Sequence, residues 1–262
     1  MNNYDFDFSD ANPSILTVRD MSGTGRTLFF DCTTDSPSTP NAEKNKFSLR
    51  DGSRSGTDLT QNAQFKDRIP AIRTLTIDME SGDDALIAYD GLLDDSPSLR
   101  FFGNDGNDSI RGSDRGDVLD GNAGNDTIFG SLGRDVIDGG LGNDLLRGGE
   151  RPDVIEGAGG NDTIYGGSQA DTLNGGNGRD LIYGDKGNDD ISGGAAKDTL
   201  NGGGGSDRIF GGNDNDFLYA HHFDTVDEVV NGGQGNDRGY YSAAYGDPTN
   251  FEVIEEIIAG DY

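Results

Sequence analysis

Residues 139–167, GGLGNDLLRGGERPDVIEGAGGNDTIYGG, carry Asp144, Asp153 and Asp162 at intervals of nine, each followed two residues later by an aliphatic side chain, Leu146, Ile155 and Ile164. The turns that deliver the aspartates differ, reading GGLGND, GGERPD and GAGGND. A spacing that survives such changes belongs to a repeating backbone rather than to a local motif. Working outward, residues 103–219 divide into thirteen consecutive blocks of nine with no insertion. Every block starts with Gly, has Asp at position six and has Ile or Leu at position eight. The aspartates are Asp108, Asp117, Asp126, Asp135, Asp144, Asp153, Asp162, Asp171, Asp180, Asp189, Asp198, Asp207 and Asp216, and Asp237 belongs to a further copy, NGGQGNDRG, at 231–239.

The pattern predicts an all-β chain. Positions seven to nine are expected to form a three-residue strand whose central side chain alone points inward. The six residues before it are expected to reverse the chain, with glycines supplying positive φ angles. Two blocks then close one 18-residue coil, and coils stack as parallel strands about 4.8 Å apart. The expected fold is a right-handed parallel β-roll or β-helix solenoid, with a broader β-helical N-terminal region and a C-terminal cap.

Stacking sets the aspartate of each block above that of the block two further on. Carboxylates about 4.8 Å apart repel by about 1 kcal/mol in water and about 3.5 kcal/mol at an effective dielectric of 20. A hard dication between coils removes that repulsion. Carboxylate oxygens plus turn carbonyls, here those of Gly121, Gly124, Gly139, Gly142, Gly157, Gly160, Gly175 and Gly178, suit the six to eight oxygen ligands of calcium better than the strict octahedron of magnesium. All fourteen aspartates named above are candidate ligands, and folding is expected to depend on the metal.

Blocks GGLGNDLLR, GGGGSDRIF and GNAGNDTIF resemble the RTX (repeats-in-toxin) family, whose nonapeptides form a calcium-binding β-roll. The resemblance implies a bacterial protein exported unfolded through a type I system and folding outside the cell in calcium. It also leaves other readings open: the C-terminal part of a larger secreted enzyme such as a protease, lipase or epimerase, or an adhesin or surface-layer component. The expected organisation is an N-terminal β-rich region at 1–101, the nonapeptide roll at 102–219, and a degenerate repeat, cap and export signal at 220–262.

Since each coil holds two blocks, odd and even blocks line opposite edges. The odd column keeps Gly at position four in Gly106, Gly124, Gly142, Gly160 and Gly178, and Asn at position five in Asn107, Asn125, Asn143 and Asn161. The even column departs early, with Arg115, Arg134, the Glu150-Arg151-Pro152 run, and Gln169 with Ala170. Calcium is therefore expected chiefly on the odd edge from Asp108 to Asp180, with arginine guanidinium groups standing in for the ion on the early even edge. At position nine the odd blocks carry Arg111, Phe129, Arg147, Tyr165, Tyr183 and Tyr219, a ladder that suits either cross-strand packing or a glycan or cell-surface partner.

Composition agrees with a thin, acidic solenoid. Only 32% of the 262 residues are hydrophobic, none is Trp, and the formal charge is −28, which excludes nucleic acid and anionic membranes as partners and favours multivalent cations. No apolar run approaches a membrane span of about 18 residues. The lone Cys32 has no disulfide partner within the chain. Strand-like runs SILTV, RTLFF, AIRTLTID and ALIAYD precede the array, and SGDDALI keeps the Asp-to-aliphatic spacing in Asp84 and Leu86. Arg115-Gly116-Asp117 falls in register with the repeat and is read as part of it; His221 and His222 are adjacent and diverge in an extended segment. With no hydrolase, metalloprotease or phosphate-loop motif, the chain is expected to be a non-enzymatic, monomeric calcium binder.

Overall fold

The computed structural model describes residues 82–90, 98–220 and 229–242, together with strands at 4–8, 15–20, 27–33, 46–51, 57–58, 74–79 and 251–258. Regular structure among the described residues is entirely β, and none of them forms a helix long and apolar enough to cross a membrane. His221 and His222 lie outside the described residues.

Even-block strands such as Val118–Asp120, Val136–Leu141, Val154–Gly159 and Thr172–Asn177 stack in one parallel sheet, the even sheet. Odd-block strands such as Ser109–Arg111, Thr127–Leu132, Leu145–Glu150, Thr163–Ser168 and Leu181–Lys186 stack in the other, the odd sheet. Register holds at 18 residues throughout the array. Ile128 aligns with Ile110 and Leu146 in the odd sheet, and Ile137 with Leu119 and Ile155 in the even one. The chain therefore alternates sheets every nine residues, as expected of a β-solenoid with 18-residue coils.

The strands are longer and the turns shorter than the sequence predicts. Thr127–Leu132 and most of its equivalents run through positions seven to nine and on through positions one to three of the next block. Glycine disfavours strands only weakly, and a neighbour on each side supplies the ladder hydrogen bonds that override this. Three positions per block face inward rather than one. Aspartate at six, aliphatic at eight and glycine at the following position one all alternate toward the interior and are buried. Within the array the apolar part of the core is a double file of single aliphatics, Ile110 to Leu218 and Leu119 to Ile209, each at most 1% exposed.

Both sheets extend beyond the array. On the N-terminal side, Ile15–Asp20, Thr74–Met79 and Ser98–Phe102 continue the even sheet in parallel, while Thr27–Thr33 and Ala85–Asp90 continue the odd one. Asp84 and Leu86 are buried, one wider coil of 24 residues before Asp108. At the other end Phe251–Ile258 pairs antiparallel with Asn236–Ser242, covering that edge of the odd sheet with backbone.

Candidate metal centre

Each repeat aspartate sits where the chain passes from one sheet to the other, and its backbone and side chain are both tied to neighbouring coils. The N–H of Asp108 donates to Oδ1 of Asp126, that of Asp126 to Asp144, that of Asp144 to Asp162, and so along the odd edge to Asp237, at 2.7 to 2.9 Å. The even edge repeats the pattern from Asp117 through Asp135, Asp153, Asp171 and Asp189 to Asp207. The aspartate carbonyl accepts from the residue after the next aspartate, as in Thr127 N–H to Asp108 O at 2.8 Å. One carboxylate oxygen thus acts as an extra backbone acceptor, which explains why the aspartate keeps its schedule through Gly, Arg, Pro and Gln turns. The odd ladder starts at Asp84, whose N–H donates to Oδ1 of Asp108 at 2.7 Å.

The second oxygen is different. Oδ2 of Asp108, Asp126, Asp135, Asp144, Asp153, Asp162, Asp171, Asp180, Asp189, Asp198, Asp216 and Asp237 is buried and accepts no hydrogen bond. It lies in the space that a side chain at position one would fill. A Cβ on Gly121 would meet Asp126 Oδ2 and also the Gly139 carbonyl at 2.7 Å; one on Gly157 would meet Asp162 Oδ2 and the Gly175 carbonyl at 2.6 Å. A carboxylate oxygen and the carbonyl of the next coil therefore converge on one cradle, which only glycine leaves open. Asp117 is the exception. Its Oδ2 accepts from Ser113 N–H at 2.6 Å and Ser113 Oγ–H at 2.8 Å, so a hydroxyl at position two closes this first even turn.

Burial is the largest influence on these carboxyls and pushes them upward, opposed by the backbone hydrogen bond each accepts. Asp135 and Asp198 rise to about 8, Asp108, Asp162, Asp171 and Asp189 to about 7, and Asp126, Asp153 and Asp216 to about 6. Asp144 and Asp180 rise for the same reason. Neighbouring aspartates add repulsion, Asp126 and Asp84 at Asp108 and Asp180 at Asp198 among them. Buried carboxylates with one oxygen left without a donor are costly as anions, and either a proton or a cation relieves that cost.

Position four sorts the turns into classes. Gly106, Gly124, Gly142, Gly160 and Gly178 on the odd edge, Gly187 and Gly205 on the even edge, and Gly235 have φ between 126° and 158°, which only glycine adopts readily. Where two such turns are neighbours, the carbonyl of one glycine presses against the α-carbon of the next, as Gly124 does on Gly142. Arg151, Gln169, Ala196 and Asp214 instead take a tighter left-handed conformation with φ of 75° to 78°, and Arg115 and Gly133 have no positive φ. These turns differ in backbone conformation at position four, although the Gln169 and Asp214 carbonyls still press against the α-carbons of Gly187 and Gly235.

Asparagine at position five has a role that its recurrence in the sequence signalled without explaining. Asn125 N–H donates to Asn107 Oδ1, Asn143 to Asn125, Asn161 to Asn143 and Arg179 to Asn161, at 2.7 to 2.8 Å. This outer ladder runs opposite in sense to the inner aspartate ladder and binds the odd turns to one another. The expected substitution of arginine for the ion is not realised at Arg134 and Arg151. Both are exposed, and the Oδ2 atoms of Asp135 and Asp153 beside them accept no hydrogen bond.

Among the described residues no three His, Cys, Asp or Glu side chains converge as a metal cluster. The donor set on offer is one or two aspartate oxygens per gap together with backbone carbonyls, a hard, neutral-to-anionic oxygen set suited to a cation of calcium type. Residues 102–137, 112–146, 138–173, 165–200 and 192–221 each match the family model described as RTX calcium-binding nonapeptide repeat (4 copies). No curated protein and no solved structure matches the chain.

Proposed function

We propose that the RTX calcium-binding nonapeptide repeats of residues 102–221 hold calcium ions between successive glycine-type turns, and that this chain is a secreted, non-enzymatic module that folds on binding them. The carrying observation is the buried Oδ2 at almost every rung, without a donor and next to a carbonyl of the following coil. The gaps assigned to ions lie between the turns of Gly106, Gly124, Gly142, Gly160 and Gly178, and between those of Gly187 and Gly205, where both turns have the glycine conformation. The aspartates concerned are Asp108, Asp126, Asp144, Asp162 and Asp180 on the odd edge and Asp189 and Asp207 on the even one, with carbonyls at positions one and four. Asp117 is served by Ser113, and the turns of Arg151, Gln169, Ala196 and Asp214 have a tighter left-handed conformation at position four.

Without ions, an acidic chain of charge −28 keeps a stack of facing carboxyls buried in a core one side chain wide. That balance supports folding outside the cell, where free calcium reaches the range about 10⁻⁴ to 10⁻³ M that extracellular modules use. Export through a type I system is the corollary drawn from the family. Circular dichroism during calcium and magnesium titrations tests the reading. A steep gain of β signal with calcium and a much weaker one with magnesium is expected; a chain fully folded in chelator and indifferent to calcium would sink it.

A further inference from the structure

The interior changes character along the solenoid. From Ile110 to Ile209 each strand buries one aliphatic side chain, beside glycine and aspartate. The rungs before them are broader: Leu99 and Phe101 both face inward from Ser98–Phe102, and Leu86 and Ala88 from Ala85–Asp90. Phe101, Ile77, Leu86 and Leu99 are the largest fully buried side chains among the described residues. Ile77 aligns with Phe101 and Phe101 with Leu119 in the even sheet, and Leu86 with Ile110 in the odd one, so this apolar block abuts the first coil of the array without a break.

Polar groups in these rungs are closed as well. Asp117 accepts from Leu99 N–H at Oδ1 and from Ser113 N–H and Oγ–H at Oδ2, at 2.6 to 2.8 Å. Asn104 Nδ2–H donates to Asp78 Oδ1 at 3.0 Å. Among the described residues up to Leu119, the buried carboxylate oxygen that lacks a donor is Oδ2 of Asp108, whereas every block from Asp126 to Asp198 carries one. Ser131 holds the place of Ser113 in the next even turn, but its hydroxyl turns to the Gly112 carbonyl at 3.4 Å and leaves Asp135 Oδ2 without a donor.

We infer that the rungs Thr74–Met79, Ala85–Asp90, Ser98–Phe102, Ser109–Arg111 and Val118–Asp120 fold without calcium and serve as the template on which the calcium-dependent coils are laid down toward the C-terminus. The inference rests on the calcium reading above for the coils that follow. In a stack of repeats, stability sums what each coil gains alone and what it gains from its neighbour, so folding starts where the first contribution is most favourable. Two inward apolar side chains per strand supply that contribution here, and a block with one aliphatic and an undonated carboxylate oxygen does not. The last rungs keep the open oxygens, Oδ2 of Asp216 and Asp237.

The template also chooses the register. Blocks of one period let a coil stack on any other of its parity with every aliphatic still inward, so the array by itself does not select its partner. The interval from Asp84 to Asp108 is 24 residues rather than 18, and together with the Ser113 clasp it marks one end as unique.

Hydrogen exchange of the full chain, read by mass spectrometry in chelator and then along a calcium titration, tests the inference. In chelator, Ser98–Phe102 and Val118–Asp120 should exchange at least about tenfold more slowly than an unfolded chain, while Thr163–Ser168 through Arg208–Asn213 exchange at the unfolded rate. Calcium should then protect Thr127–Leu132 at a lower concentration than Arg208–Asn213. Leu99→Ala should abolish the protection in chelator and raise the calcium needed by every later coil. Leu200→Ala, the same loss of volume within the array, should leave Ser98–Phe102 protected in chelator. Unfolded-rate exchange throughout in chelator, protection that arises first at Asn236–Ser242, or a Leu99→Ala chain whose array responds to calcium as the wild type does would overturn the inference and leave calcium-driven folding of the array standing. Protection of the whole array in chelator would overturn both.

Discussion

Replacing Asp144 by Asn should move the two states of this chain in opposite directions. The amide matches the carboxylate in shape and keeps Oδ1 as the acceptor for Asp126 N–H, so the ladder bond of 2.7 Å survives. In place of Oδ2 it offers an N–H₂ toward the cradle at Gly139, where the Gly157 carbonyl lies 3.1 Å from the point a Cβ would occupy and can accept it. The substitution also removes a charge stacked between Asp126 and Asp162, worth about 1 kcal/mol per neighbour in water and about 3.5 kcal/mol at a dielectric of 20. Burial already holds the Asp144 carboxyl above its ordinary range, with Asp138 adding to the shift. A gain of about 1 to 3 kcal/mol in the ion-free coil follows. With calcium the sign reverses, because an anionic ligand shared by two adjoining gaps is lost. The calcium midpoint should rise at least tenfold in concentration for the odd edge, equivalent to about 1.4 kcal/mol. Thermal melts in chelator and calcium titrations followed by circular dichroism read both. A variant that is less stable in chelator, or whose calcium midpoint matches the wild type, would refute the two-oxygen account of the aspartate.

Other outcomes rest on different residues. Ser113→Ala should destabilise the first even turn by about 1 kcal/mol in denaturant melts, because Asp117 Oδ2 loses the hydroxyl donor and keeps only the backbone N–H, and Asp117→Asn should shift the calcium midpoint much less than Asp144→Asn. Gly142→Ala places a Cβ against the Gly124 carbonyl at φ 137° and should raise the calcium midpoint and lower the melting temperature in calcium, whereas Ala at the exposed Asn143 side chain should cost only the outer-ladder bond, about 1 kcal/mol. In chelator, folded-state carboxyls at about 6 to 8 against about 3.8 when unfolded mean that the ion-free coil binds more protons than the unfolded chain. Its stability is therefore fully expressed below about pH 4 and is lost as pH rises through 6 to 8, so β signal in chelator should grow on acidification, measured by circular dichroism from pH 8 to pH 4.

Much of this architecture was legible because the constraint falls on fixed positions. Ile or Leu at position eight and Gly at position one mark the interior, and the 18-residue register follows from two blocks per coil. The aspartate was misplaced for an intelligible reason. A charged residue in a glycine-rich stretch reads as an exposed turn, yet positions six, eight and the next one share a parity, which is the alternation of a strand facing inward. Oδ1 serving as a backbone acceptor leaves no mark beyond that invariance. Strand length was misjudged at residues such as Gly130 and Ser131, since turn-forming composition was weighed without the ladder that stacking provides. The role of Asn125 and Asn143 needed three dimensions, because their bonds cross 18 residues to the coil before. Arg134 and Arg151 on the even edge carry neutralising charge but not the reach: both side chains are exposed, and Arg151 occupies the left-handed position four.

The most direct test of the central claim is the anomalous scattering of calcium from crystals of the calcium-bound chain. The account predicts ions in the odd-edge gaps from Gly106 to Gly178 and in the even-edge gap between Gly187 and Gly205, and none between the turns of Arg151 and Gln169. Equal occupancy along both edges, or ions away from the Oδ2 cradles, would contradict it.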